Sequence, residues 1–205
     1  MKLQEAIKTR RTLKVLSQEN VEVKDVSKDV QEILEMGGKA PFHYANINTV
    51  DKELESLAPW RFYVLDGKQC RKLADIFVEK GINGGKITQM LRSAQSLIQV
   101  TWCPEVSEDG EVLLDQKNVE HIAATSAAIQ NMLLTATALG YENYWSSGGV
   151  LREEFSKKIL DIPLDEVLLA SLFIFNSETK NLKTKKGALR GRQGDLESYC
   201  KQILL

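Results

Sequence analysis

The apolar positions of this chain fall into helical and strand periods that alternate along its length. Over residues 2–9, Leu3, Ala6 and Ile7 share one face of a short helix. A second helix is predicted through Met36, capped by Asp25 or Ser27, with Val30, Ile33 and Leu34 as its apolar stripe and Gly37-Gly38 as its stop. "WRFYVLDGK" reads as a strand closed by a turn at Asp66-Gly67, with Trp60, Phe62 and Val64 alternating toward one face. A helix with Leu73, Ile76 and Phe77 inward follows, then a strand at "SLIQVTWC" ended by Pro104, and an exposed turn at "SEDGEV".

The longest helix is predicted from about Asn118 to Leu139. Ala123, Ala124, Ala127, Ala128, Met132, Leu133, Leu134, Ala136 and Ala138 leave it almost no polar face. Such a helix lies in the middle of a core, or has one face in the core and the other against a partner. "YENYWSS" is then a strand, 152–160 a helix, and "EVLLASLFIFN" a fully buried strand. Interleaved helices and strands place the chain in the α/β or α+β class with a central sheet. The tail from Ser177 stays polar and basic until "LESYCKQILL" turns apolar again.

With 205 residues the chain has enough length for one domain with a full core. A formal net charge of −1 supplies no global field toward nucleic acid or a lipid surface. The N-terminal stretch carries charges throughout and lacks the apolar core of a signal peptide. Cys70, Cys103 and Cys200 are odd in number and widely spaced, which speaks for a reducing, cytoplasmic setting.

Several chemistries are excluded by spacing. In "GINGGKITQM", Lys80 and Ile87 stand where a phosphate loop needs Gly and Ser or Thr. No G-x-G-x-x-G follows a strand, and no G-x-S-x-G is present. His43 and His121 stand in no ligand-spaced cluster, so no metal site is expected.

Four segments remain. "KTRRTLK" holds Arg10, Arg11, Thr12 and Lys14, which within five residues can saturate the oxygens of a phosphate; a solvated basic turn is the plainer reading. "GGKAPFHY" places Lys39 before Pro41 and then sets Phe42, His43 and Tyr44 in a row, either for a ligand or as a loop packed on the core. "APWRFYVLDG" is explained by core packing alone. In the basic tail, Arg190 and Arg192 can close over a second side of the same phosphate.

In order and type these segments resemble the nitroreductase family of FMN-dependent oxidoreductases over nearly the whole chain. The shared features are the "AI–RR(S/T)" start, the "AP–H" loop, "PWRF-V-(D/E)G", a long alanine-rich helix ending in Gly140, "W-SG" and a basic tail. The resemblance implies a single α+β domain over 1–205, with a central, mainly antiparallel sheet flanked by helices and a long buried central helix. It implies FMN held by Arg10, Arg11, Thr12, Lys14, Lys39, His43, Trp145, Ser146, Ser147 and Gly148, with Arg190 and Arg192 from a C-terminal arm over 177–205. NADH or NADPH would be the electron donor, meeting the flavin near residues 135–140. Phe42 and Tyr44 would face the substrate, and His43 would donate a proton or orient that substrate. Transfer would be ping-pong, to a nitroaromatic, quinone or similar acceptor, in a homodimer with FMN at the interface. A flavin-storage protein without turnover, and reductive dehalogenation or flavin fragmentation, are the alternatives. One departure stands out: "ANINTVDKELESLA" (45–58) is inserted before Pro59-Trp60, and Ala58 replaces a polar residue, so the pocket rim is reshaped.

Overall fold

The computed structural model describes residues 1–46, 53–178 and 182–203. Along the chain run α1 (Leu3–Thr9), β1 (Leu13–Leu16), α2 (Ser27–Gly37), β2 (Trp60–Asp66), α3 (Gly67–Glu79), α4 (Lys86–Ser93), β3 (Ser96–Trp102), α5 (Gln116–Ala138), β4 (Glu142–Ser146), α6 (Glu154–Ile159), β5 (Val167–Phe175) and β6 (Lys183–Lys186). Residues 47–52 of the inserted loop and 179–181 and 204–205 of the arm lie outside the described residues.

Four strands form the central sheet in the order β2-β3-β5-β4, every pairing antiparallel. β3 and β5 are interior strands. They read as unbroken apolar runs because helices cover both faces. On one face Ile98, Val100, Leu172 and Ile174 pack against Ile129, Met132 and Leu133 of α5 and Ile33 of α2. On the other, Leu97, Phe173 and Phe175 meet Leu73 and Phe77 of α3, Met90 and Leu91 of α4, and Leu13 and Val15 of β1.

α5 buries one face, at His121, Thr125, Ala128, Ile129, Met132, Leu133 and Ala136, while Ala123 and Gln130 are exposed. The outward side of α5 mixes small residues, Ala123 and Ala127, with the polar Ser126, Gln130 and Asn131. The short helix α1 lies against it and buries only Ala6, leaving Leu3 66% and Ile7 48% exposed.

Three local readings are corrected. Asp66-Gly67 is no free turn: Asp66 caps α3 directly, its carboxylate accepting from the Gln69 amide at 2.8 Å while Gln69 returns the bond to the Asp66 amide. Gly67 is needed there because a Cβ would stand 2.7 Å from Val23 Cγ1. Val64 does not join Trp60 in the core; it is exposed at the sheet's edge. The basic tail contains a strand, β6, which pairs antiparallel with β1 from Leu13↔Lys186 to Leu16↔Lys183. All four β6 side chains are exposed, so backbone pairing rather than burial makes it a strand. Among the described residues no helix is long and apolar enough to cross a membrane.

α2 crosses α5 where Gly37 faces Met132, with a Cβ at Gly37 falling 2.6 Å from Met132 Cγ. Met132 is fully buried and has little room to yield. Gly37→Val should therefore lower the free energy of unfolding by about 1–3 kcal/mol. Urea denaturation checks this, and a variant as stable as the parent would show that the two helices can separate without cost.

Candidate functional site

The N-terminal cations are positioned by three junctions. α1 ends with the Arg10 amide donating to the Ala6 carbonyl at 2.8 Å. Thr12 forms a parallel bridge with Asn143, tying the start of β1 to β4. Arg11 pairs with Glu142 of β4 at 2.9 Å, and Lys14 Nζ lies 4.7 Å from the Tyr144 ring centroid, within cation–π range.

The C-terminal arm reaches the same place. After β6 the Gly187 amide donates to the Thr12 carbonyl at 2.9 Å, and a Cβ at Gly187 would come within 3.0 Å of Thr12 Cβ. The chain then turns so that Arg190 Nη2 donates to the carbonyls of Ile7 at 2.9 Å and Lys8 at 3.0 Å, and Nη1 to that of Arg10. This guanidinium satisfies the C-terminal carbonyls of α1, where a helix favours positive charge. Within one chain Arg190 and Arg10 already adjoin.

The result is a cationic corner. Burial and then the charge of Arg190 pull the Arg10 pKa down from its ordinary value. Among the described residues no carboxylate pairs with the Arg10 or Arg190 guanidinium, and Lys185 stands opposite Lys14 in the β1–β6 register. Thr9, Arg10, Arg11, Thr137, Gly140 and Glu142 line a hollow of about 220 Å³ there. Arg192 follows, exposed.

A second group sits elsewhere. Lys39 is exposed beyond the end of α2. Phe42 meets Trp60 edge-on at 5.6 Å, and the His43 ring stands edge-on to Tyr44 at 4.7 Å. His43 is exposed, in a shallow hollow with Glu120, Ala123 and Ala127 of α5. The inserted loop is anchored beside it. Asn46 donates its amide to the Leu57 carbonyl at 2.8 Å and its side chain to the Cys103 carbonyl at 2.6 Å. Buried Arg61 donates to the carbonyls of Leu54, Ser56, Ala58 and Trp60 at 2.6–3.0 Å.

In the segment after α5, Trp145 packs on the α5 side of the sheet and Ser146 is buried, its Oγ accepting from the Gly148 amide at 3.2 Å. Ser147 is exposed. Gly148 has φ 102°, and a Cβ would strike Arg152 Cγ at 2.6 Å.

The structure thus gathers Arg10, Arg11, Thr12, Lys14 and Arg190 around the start of β4. Lys39, Phe42, His43 and Tyr44 stay apart. The first group adjoins Thr137–Gly140 and the second Ala123–Ala127, so about 15–20 Å of helix separates them.

The nitroreductase family model matches residues 7–174, which covers both groups except the arm. The chain belongs to the nitroreductase family. Solved nitroreductase-like structures share its fold at low identity. A family protein from Bacillus cereus superposes with a TM-score of 0.67 at 20% identity, over 99% of this chain and 96% of that one. A protein from Desulfovibrio desulfuricans, solved in complex with FMN, gives 0.62 at 21% identity over 100% and 99%. The FMN- and NADPH-dependent nitroreductase NfnB from Sphigopyxis sp. strain HMH gives 0.65 at 11% identity over the full length of both. Among curated proteins no sequence match is found.

Three residues beside these groups have no site role in the sequence alone. Glu142 and Tyr144 alternate on β4, and only the β1–β4 bridge reveals that they face the N-terminal cations. His121 lies beneath the His43 loop and is fully buried. Burial holds its pKa below the ordinary value, opposed by the Tyr44 backbone and Glu105. The unfolded chain therefore takes up this proton first, near its ordinary pKa of about 6.5. The stability tied to neutral His121 is complete above that pH and lost as pH falls through the folded value. Urea unfolding between about pH 7.5 and 5.5 should show declining stability, and His121→Leu should flatten the decline. An unchanged slope in the variant would assign the effect to other groups.

Proposed function

We propose that this nitroreductase-family protein is an FMN-dependent NAD(P)H oxidoreductase. The observation that carries the reading is the corner where Arg10 and Arg190, 180 residues apart, adjoin with no paired carboxylate among the described residues. Two guanidiniums set side by side are relieved by a dianion, and a phosphate offers both charge and acceptor oxygens. Arg10, Thr12, Lys14 and Arg190 would hold the FMN phosphate and ribityl chain, with Arg11 steadied by Glu142 and Arg192 close by. Nothing in the corner suits an adenosine half, which favours FMN over FAD. When bound, FMN supplies the redox chemistry, taking a hydride from NADH or NADPH and passing electrons to a nitroaromatic, quinone or similar acceptor. The FMN and NADPH dependence of solved relatives supports this reading.

Lys39, Phe42, His43 and Tyr44 reach such a site only from a second copy. Two chains packed antiparallel across the uncharged stretch of α5 around Ala127, Gln130 and Leu134 would set the Ala123–Ala127 end of one beside the Thr137–Gly140 end of the other. A two-fold interface requires this reciprocity. The pairing also covers Leu3 and Ile7, and the tail's exposed Leu189, Leu196, Tyr199 and Ile203 have a neighbour to cover. In that arrangement Trp145, Ser146, Ser147 and Gly148 flank the flavin, residues 135–140 meet the nicotinamide, and the partner's loop sets acceptor choice. His43, exposed on that loop, would orient the acceptor or donate its proton. Cys70 and Cys200 form no disulfide among the described residues, which is consistent with the cytoplasmic setting expected of the chain.

Arg10→Ala should weaken FMN binding by about 1.5–3 kcal/mol, roughly ten- to a hundredfold. A flavin-fluorescence titration reads this directly, and unchanged affinity would remove the phosphate assignment. Anaerobic addition of NAD(P)H should bleach the yellow protein within turnover time; flavin that stays oxidised marks a storage protein instead. Deleting 194–205 should lower dimer stability and FMN affinity together. Light scattering of a monomer with full flavin occupancy would refute the shared site.

A further inference from the structure

At the opposite edge of the sheet from the cationic corner, β2 borders a cavity of about 600 Å³. That volume lies within the range of small-molecule sites. Leu73 and Ile76 of α3, Leu160, Pro163 and, from the inserted loop, Leu54 give it apolar walls. The loop's position there follows from Arg61, which holds the carbonyls of Leu54, Ser56 and Ala58.

One group is out of keeping with those walls. Glu166 forms part of the cavity lining yet is only 2% exposed. Tyr63 donates its hydroxyl to the carboxylate, 2.9 Å from each oxygen, and Thr101 donates to Oε2. Each hydroxyl has one hydrogen, and a carboxylate offers about four acceptor positions, so about two stay open. Among the described residues no ammonium or guanidinium pairs with this carboxylate. Lys157 lies near enough to feel the Glu166 charge, but its ammonium donates to the backbone carbonyls of Leu164 and Glu166 rather than to the carboxylate. Burying a carboxylate among apolar walls is costly unless a partner compensates it. The mouth adds to the imbalance, since Glu53 and Asp161 face a single Lys72 there. Asp161 is also the one non-glycine residue with positive φ, at 54°, among the described residues.

We propose that this cavity binds a small organic ammonium ion: an amine on an apolar or aromatic body. The amine would take the open acceptor positions of Glu166, and the body would lie against Leu73, Ile76 and Leu160. The negative mouth favours a cation over a neutral or anionic ligand. Three strand spacings, about 14 Å, separate β2 from β4, which carries Tyr144 of the flavin corner. The proposal stands apart from the flavin reading, and either can fail alone.

The test uses the full-length protein, isotope-labelled, with phenethylammonium and its neutral counterpart 2-phenylethanol as probes in two-dimensional NMR titrations. Phenethylammonium should shift amides of β2, α3 and 160–166 at millimolar concentration, and the alcohol should bind about tenfold more weakly. Glu166→Gln should reduce ammonium binding by about tenfold or more. If that variant does not fold, Ile76→Trp decides, since it fills the cavity, keeps the carboxylate and should also abolish the shifts. Equal binding of the two probes, shifts confined to other parts of the protein, no binding at millimolar concentration, or binding unaffected by Ile76→Trp would each overturn the proposal.

Discussion

The packing of α5 on the sheet sets everything else in this molecule. Ile129, Met132 and Leu133 are fully buried between Ile98, Val100, Leu172 and Ile174 below and Ile33 of α2 beside them. Gly37 lets α2 come that close. Because the helix is long and held along its length, its two ends are fixed points some distance apart. One end receives the α1–β1 cations and the arm; the other receives the aromatic loop. Within one chain the two groups of candidate residues therefore stand at opposite ends of α5.

The cationic corner shows how function works against stability. Bringing Arg190 onto the end of α1 satisfies carbonyls that would otherwise go unpaired. It also sets its charge beside Arg10, which is partly withdrawn from water. Glu142 neutralises Arg11 alone. A protein selected only for stability would place a second acid there. On the proposed function, leaving the corner positive would keep an anion site preorganised, and a bound anion would relieve the repulsion.

Much of this was legible in the sequence, and the boundary is physical. Helices α2 and α5 and strands β2, β3 and β5 follow from period and capping, because each is long enough to show its repeat. β1 and β6 were invisible. Four residues carry hardly two periods, and "KTKK" has no apolar face at all. Asp66 looked like a turn residue because Asp-Gly suits turns, whereas its carboxylate was serving Gln69. Arg10, Arg11, Thr12 and Lys14 were found as a cluster because they are neighbours in sequence. Their partners Glu142 and Tyr144 were not, since only strand pairing brings β4 to β1. The family resemblance supplied the antiparallel sheet, which no local pattern encodes.

The inserted loop illustrates why resemblance stops short of specificity. Its composition is polar and gives no hint of order. Its anchoring comes from a residue outside it, Arg61, whose guanidinium is buried and spent wholly on backbone carbonyls. Arg61 belongs to the "PWRF" stretch that the family pattern treats as a strand start. Here its side chain fixes the return of the loop, while Asn46 ties the loop's beginning to Leu57 and Cys103. The same few residues therefore hold the aromatic Phe42–Tyr44 run on one side of the sheet and help wall the Glu166 cavity on the other. A substitution in the insertion acts on both places through these anchors. On the proposed function, acceptor choice would depend on the hydrogen bonds that hold this loop as well as on residues touching the flavin.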